Sequence, residues 1–273
     1  MVEMVTTLQS ASRILISVSI VSHGQAALIA SLLADMEKVH VQDIEVILTL
    51  NIEETLPFNV GEFSFPLTII CNSSPKGFGA NHNAAFTSAK GRYFCVLNPD
   101  IRFNINPLPL LVDCLHAGRV GVAAPLIRNP SGAIDDSARC FPTPLGIAAK
   151  ILGRTQSREY VLNVPCISPD WVAGMFMLIP SETFYAVGGF DERYFLYYED
   201  VDLCARMRRA GYDIRLCREA QVLHHARRQS HKEWRYRRWH AASILRFFTS
   251  QAYFWILWAK CKQWASGYSG VLK

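Results

Sequence analysis

The sequence predicts an α/β protein: a mostly parallel, Rossmann-like central sheet with helices on its faces. Three observations carry that expectation. Arg13 is followed by Ile14-Leu15-Ile16-Ser17-Val18-Ser19-Ile20-Val21, a β-branched run suited to a buried strand, and then by the turn Ser22-His23-Gly24. Leu28, Ile29, Leu32, Leu33 and Met36 then recur at helical spacing. The alternation continues with strands at residues 44–50 and 67–71, a glycine turn, a helix around residues 83–89 and a strand at 93–97.

In such sheets ligands collect outside the carboxyl ends of the strands. The residues just after each strand are therefore the first candidates for a binding site. They are Ser22-His23, Asn51, Gly77-Phe78-Gly79 and Asn98-Pro99-Asp100. Beyond about residue 107 the alternation weakens, and residues 125–144 read as loop, with Asn129-Pro130-Ser131-Gly132 a turn.

A chain of 273 residues that is half hydrophobic can bury a full core, so disorder is not the expected state. The net charge of +5 is modest, but Arg227, Arg228, Lys232, Arg235, Arg237 and Arg238 crowd into one stretch. A local positive face points to a local partner. No recognised DNA or RNA module accompanies it, so nucleic acid is not the expected partner. The eight cysteines, Cys71, Cys95, Cys114, Cys140, Cys166, Cys204, Cys217 and Cys261, contain no CxxC pair. The sequence thus writes neither a zinc knuckle nor a dithiol motif, and reduced thiols in the cytoplasm are expected. Residues 1–12 lack the basic start and apolar core of a cleaved signal peptide.

Two stretches hold the candidate acids. Pro99 stops the strand ladder, so Asp100 is delivered at the sheet's edge; taken alone, Asn98-Pro99-Asp100 also describes an ordinary Asx turn. The second stretch begins with Asp170-Trp171-Val172-Ala173-Gly174. It resumes with Gly188-Gly189-Phe190-Asp191-Glu192 and runs from Tyr194 through Glu199, Asp200 and Asp202 to Cys204. A helix is predicted from Asp200 to about residue 210, closed by Gly211. Its acids could simply complement the helix dipole. The aromatic residues Tyr194, Phe195, Tyr197 and Tyr198 are not explained that way, and aromatics beside paired carboxylates suit a sugar, which offers C–H faces and hydroxyls.

The ordered series VSIVSHG, GFGANHN, LNPDI, DWVAGMFML, GGFDERYFLYYEDVDLCARMRRAGY and VLHHA resembles the family 2 glycosyltransferases of GT-A fold. The closest likeness is to bacterial rhamnosyltransferases of O-antigen and cell-wall glycan synthesis. It spans roughly residues 14–226 and implies a GT-A domain at residues 1–230. It also implies an inverting transfer of L-rhamnose from dTDP-β-L-rhamnose to a sugar on a polyprenyl diphosphate. Under this resemblance Asp100 and His224, with His225 as the alternative, hold Mg²⁺ or Mn²⁺ against the donor diphosphate. Asp200 is the catalytic base, and a helix N-terminus is expected to lower its pKa. Ser22, Asn51, Gly77, Gly79 and Asn98 join Asp100 in donor binding, and Asp170, Trp171 and Glu199 bind the acceptor.

Two positions depart from the family. Leu50-Asn51 stands where an Asp-Asn pair is common, and Pro75 replaces an asparagine before the glycine turn. Base recognition then falls to Asn51, backbone groups or Glu53, and a UDP-sugar or a weakened active site stays open as an alternative. A nucleotidylyltransferase is disfavoured, because Ser22-His23-Gly24-Gln25-Ala26 is not the glycine-rich basic loop such an enzyme needs. A non-catalytic membrane scaffold of the same fold also remains.

Residues 231–273 form a separate basic and aromatic tail. Within residues 241–259 Arg246 is the only charge, but polar residues dilute the stretch below what a membrane span requires. The preferred expectation is an interfacial helix that holds the enzyme peripherally on the cytoplasmic face of the inner membrane, with Phe247, Phe248, Phe254, Trp255 and Trp258 in the acyl boundary. A helix packed on the enzyme's own core is the other.

Overall fold

A computed structural model describes residues 15–153, 160, 164–225 and 234–265. Among these, nine strands form one sheet and two more form a small ribbon. The first half matches the predicted alternation. Strands β1 (Ile16–Ser22), β2 (Ile44–Leu50), β3 (Leu67–Cys71) and β4 (Tyr93–Leu97) pair in parallel in the order β3-β2-β1-β4. Between them lie α1 (Ala26–Lys38) and α2 (Phe78–Phe86).

β1 is buried on both faces, so its alternate polar residues need internal partners. Ser17 Oγ donates to Glu45 Oε1 at 2.6 Å, and Ser19 Oγ lies 2.8 Å from His82 Nδ1 on α2. Ile29, Leu32, Leu33 and Met36 of α1 are fully buried, as their spacing predicts.

The second half is mixed rather than parallel. Strand β5 (Ile101–Arg102) is followed by α3 (Leu108–Leu115) and β6 (Val120–Arg128). β6 extends into the first four residues of the stretch expected to be loop: Pro125 sits within it, and its residues are buried up to Ile127. A hydrophobic run of nine residues is a buried strand here, and the proline that suggested a loop falls at a position its neighbours tolerate, next to an irregularity in the partner strand. β10 (Phe176–Pro180) is antiparallel to both β4 and β6, and the twelve-residue β11 (Asp213–His224) runs parallel to β6. The short strand β8 (Cys166–Ile167) pairs with β11, while β7 (Ala138–Arg139) and β9 (Trp171–Val172) make the separate ribbon.

Strand β5 positions the site. It pairs antiparallel with the end of β11, with His224 opposite Ile101 and Leu223 opposite Arg102. Arg102 is held by the buried Asp35 of α1, with Nη2 at 2.8 Å from Oδ1. The turn after β4 is thus clamped between α1 and β11.

Helices α4 (Pro144–Ile151), α5 (Ser181–Ala186), α6 (Glu199–Arg209), α7 (Trp234–Phe248) and α8 (Gln251–Ala265) complete the fold. α6 ends as its sequence predicts, with Gly211 at φ +82°. The tail does not stand apart. Phe247 is fully buried, Ala252, Tyr253 and Ile256 nearly so, and all four join the core cluster that includes Val201, Leu203 and Met207 of α6. Phe247 therefore cannot lie in an acyl boundary, because its ring is already spent on the protein's own interior. Arg227, Arg228 and Lys232 of the basic cluster lie outside the described residues.

Candidate active site

The ends of β4 and β11 bring Asp100 and His224 together. The Asp100 N-terminal neighbours are fixed by Asn98, whose N–H donates to Met175 O at 2.9 Å, and Asp100 O accepts the His225 N–H at 2.9 Å. His224 Nε2 lies 3.2 Å from Asp100 Oδ2, and Nδ1 lies 2.9 Å from Asp135 Oδ2. Burial opposes charge on this imidazole, but the two carboxylates outweigh it and raise its pKa. The register sets His224 opposite Ile101 with its ring beside Asp100, while His225 meets Asp100 through its backbone N–H.

The residues fit a divalent ion. Asp100 Oδ1 is buried without a hydrogen-bond partner among the described residues, a place a cation would fill. An imidazole Nε2 beside a carboxylate, with Nδ1–H donating to a second carboxylate, is a common arrangement around histidine-bound metals. Asp135 was not legible as a site residue. It follows β6 in the Asn129–Asp135 turn region, where Asp135 N donates to Ile127 O at 2.8 Å, and only the strand's return brings it to His224.

Asp200 sits at the start of α6, half-buried. Its Oδ2 accepts the Gly174 N–H at 3.0 Å and its Oδ1 the Val201 N–H at 2.8 Å. The lowered pKa expected from the helix terminus is not what results. Desolvation raises it, and the backbone N–H groups only moderate the rise. Gly174 makes room for this: a Cβ there would stand 3.2 Å from the Phe78 ring and 3.6 Å from Asp200 Cβ.

Two of the neighbouring acids bind groups of the protein itself. Asp202 is buried and takes Arg206 Nε at 2.7 Å. Asp170 is 5% exposed and accepts the Phe141 N–H at 2.8 Å, which fixes the segment bearing Arg139. Trp171 donates Nε1–H to Cys140 O at 3.0 Å, with the Arg139 guanidinium 5.7 Å from its ring. Glu199 is buried, with Oε2 unpartnered among the described residues, and burial together with the Asp200 charge raises its pKa well above the usual range.

A raised carboxylate pKa gives stability at low pH that is lost as pH rises through the folded value. Glu199→Gln, which copies the protonated form, is therefore expected to raise the thermal midpoint at neutral pH, with the gain shrinking toward about pH 4. Melting curves across that range check it. An unchanged or lower midpoint at neutral pH would show that Glu199 is ionised without cost.

The aromatic wall before Asp200 is mostly a seam to the tail rather than a sugar platform. Tyr194 is wholly buried, Phe195 lies 4.6 Å from Trp239, and Tyr198 lies 5.5 Å from Phe247 and 5.8 Å from His240. Tyr197 and Tyr198 adopt left-handed backbone at φ +70° and +69°, a strained conformation for two successive tyrosines. Ser243 Oγ–H donates to Leu196 O at 2.9 Å, so α7 braces that strained turn.

The remaining candidates line the scaffold. Ser22 is buried and its Oγ accepts the Gln25 N–H at 3.1 Å. Asn51 spends its amide on the loop before α2: Oδ1 accepts from Lys76 N at 2.8 Å and Asn72 Nδ2 at 2.9 Å, and Nδ2 donates to Lys76 O at 3.0 Å. Glu54 accepts the Ala26 N–H at 2.9 Å at the start of α1. Gly77 and Gly79 permit close packing, since a Cβ would meet Phe195 O at 2.7 Å and Phe190 Cβ at 2.6 Å.

No family model matches the chain. It is 36% identical over 140 residues to the N-acetylglucosaminyl-diphospho-decaprenol L-rhamnosyltransferase of Mycobacterium tuberculosis. That match covers 48% of this chain and 46% of the relative, so the chain aligns with about half of that protein's length. It is 28% identical over 247 residues to the rhamnosyltransferase WbbL of Escherichia coli, covering 85% of this chain and 92% of WbbL. In structure it is similar to a mannosyltransferase of Pyrobaculum calidifontis solved with GDP-Man and Mn²⁺, at a TM-score of 0.59 and 16% identity, covering 95% of this chain and 77% of that one. By these likenesses the chain has the GT-A fold and is similar in sequence to bacterial rhamnosyltransferases.

Proposed function

We propose that the chain is an inverting, metal-dependent rhamnosyltransferase that moves L-rhamnose from dTDP-β-L-rhamnose to a sugar carried on a polyprenyl diphosphate. The observation that carries the metal-dependent transfer is the meeting of Asp100, with its unpartnered Oδ1, and His224 at the carboxyl edge of the sheet. The rhamnosyl and lipid-linked parts rest on the sequence likeness to WbbL and to the mycobacterial enzyme that the name describes.

Asp100 and His224 would hold Mg²⁺ or Mn²⁺, which neutralises charge building on the leaving diphosphate. Asp200 takes the proton of the acceptor hydroxyl as its oxygen bonds to the anomeric carbon. The bond from that carbon to the phosphate oxygen breaks with its electrons, and attack from the opposite face inverts the centre. Raising the Asp200 pKa by burial makes it a stronger base than a solvated aspartate. Trp171 and the Arg139 beside it flank the acceptor side. Because Asn51 is committed to Lys76 and Asn72, contacts to the donor base fall to backbone groups or the exposed Glu53, which leaves a UDP-sugar as the second reading.

Incubation with a panel of nucleotide sugars, Mg²⁺ or Mn²⁺ and a synthetic GlcNAc-diphospho-lipid tests the assignment. The expected product carries one rhamnosyl mass increment and forms only with metal. A hexosyl increment, or none, overturns the rhamnosyl assignment.

Peripheral binding to the inner membrane's cytoplasmic face remains part of the proposal, on a narrower footing. No helix among the described residues is long and apolar enough to cross a membrane. Phe254 and Trp258 of α8 stay 59% and 54% exposed, and Lys262 sits 4.2 Å from the Trp258 ring. This is a cation and aromatic pairing suited to lipid headgroups. Replacing Phe254 and Trp258 by serine is expected to release the protein from anionic vesicles without altering its melting transition. Unchanged sedimentation of the double variant would count against this surface.

A further inference from the structure

Three of the eight cysteines, scattered in sequence, meet in space. Cys114 comes from α3, Cys166 from β8 and Cys217 from β11, where Cys217 stands opposite Cys166 in the ladder. Their sulfurs lie within 4.8 Å of one another, and Cys114 Sγ and Cys166 Sγ are 2.8 Å apart. Cys114 and Cys217 are buried and Cys166 is half-buried, so the group is shielded yet reachable from one side. From Cys217 to His224 the strand extends roughly 20 Å, at about 3.3 Å per residue, so this cluster is separate from the Asp100 and His224 site.

We propose that Cys114, Cys166 and Cys217 form a three-thiolate site for a thiophilic d¹⁰ metal ion of the zinc class. Zinc–sulfur bonds of about 2.3 Å set tetrahedral thiolates roughly 3.8 Å apart, within the observed spread, with a water in the fourth position. Cys114 and Cys166 need separate by only about 1 Å to reach that geometry. As each Zn–S bond forms an S–H bond breaks, its proton passes to solvent and no electron is transferred.

Without a metal the three thiols are unlike: Cys217 is pulled down chiefly because the Cys114 S–H donates to it, while that same bond and burial hold Cys114 up and burial holds Cys166 up, so metal binding has to displace their protons. A disulfide would join two sulfurs, strand the third, and require an oxidant. Three convergent sulfurs from three elements match a metal instead. The site would pin α3 and β8 to β11, the strand that carries His224.

The test is a Cd²⁺ titration of the reduced full-length protein, read by thiolate-to-metal charge-transfer absorbance, with bound zinc measured by mass spectrometry. In an Asp100→Ala background, which removes one of the two ligands of the separate Asp100 and His224 site, the band is expected to saturate at about one equivalent and Zn²⁺ to raise the melting temperature. Cys166→Ser, at a half-buried position, should abolish both effects, while Cys71→Ser, at an exposed one, should retain them. Absence of the band, or an equal band in Cys166→Ser, overturns the proposal. So does a non-reducing mass that shows Cys114 joined to Cys166 and unaffected by zinc.

Discussion

Asp200→Asn is expected to lower kcat by about 10²- to 10⁴-fold, the usual contribution of a general base, with little change in KM for the donor. The amide matches the carboxylate in shape but cannot accept a proton. Its single carbonyl oxygen can serve either Gly174 N–H or Val201 N–H, not both, so a stability cost of about 1–3 kcal/mol accompanies it. Assays well below the melting transition separate the two effects. Because burial raises the pKa of Asp200, the acid limb of the wild-type rate profile should lie above about pH 4, the ordinary aspartate value, and vanish in the variant's residual rate. Near wild-type transfer by a folded Asp200→Asn protein would remove Asp200 from its role. Retention of activity in Glu199→Gln completes the discrimination, since Glu199 is the only other acid at this helix start whose carboxyl lacks an ion-pair partner among the described residues.

The sequence made the first half of the sheet legible because each strand there is short, parallel and followed by punctuation. Asp100 could be placed at the edge for that reason: Pro99 ends β4 and the chain turns. The second half was harder. β10 enters antiparallel between β4 and β6, and no local pattern announces the partner of a strand. Pro125 disguised β6 as loop, and with it went Asp135, whose meaning depends on that strand's end lying beside β11.

The tail shows a different limit. Aromatic and aliphatic residues at helical spacing read the same whether they face lipid or a protein core. What decides it is the partner surface, here Phe195, Tyr198 and the buried side of α6. The same surface explains the aromatic run before Asp200, which looked like a sugar platform because the α7 helix that covers it is about forty residues away in sequence. The coverage has a functional side. Ser243, Trp239 and Phe247 hold the left-handed Tyr197-Tyr198 turn, and that turn delivers Glu199 and Asp200.

Asp100→Ala is expected to abolish metal-dependent transfer, and Asp135→Asn to weaken the metal without abolishing catalysis. The two residues hold opposite nitrogens of one imidazole, so their losses differ in kind. Under the proposed metal site, removing Asp100 would take away an oxygen ligand and the charge that balances the cation, leaving His224 alone. Removing the Asp135 charge leaves both ligands in place but loosens the Nδ1–H contact that fixes the ring's tautomer and direction. Such outer contacts typically carry about 10- to 100-fold in metal affinity. Activity measured against Mn²⁺ concentration should therefore shift to higher metal in Asp135→Asn and recover most of its kcat at saturation, whereas Asp100→Ala should stay inactive at every concentration. His224→Ala should fall with Asp100→Ala rather than with Asp135→Asn. If Asp135→Asn instead loses kcat at saturating metal with unchanged affinity, Asp135 touches substrate rather than orienting His224, and the relay from Asp135 through His224 to the metal is wrong.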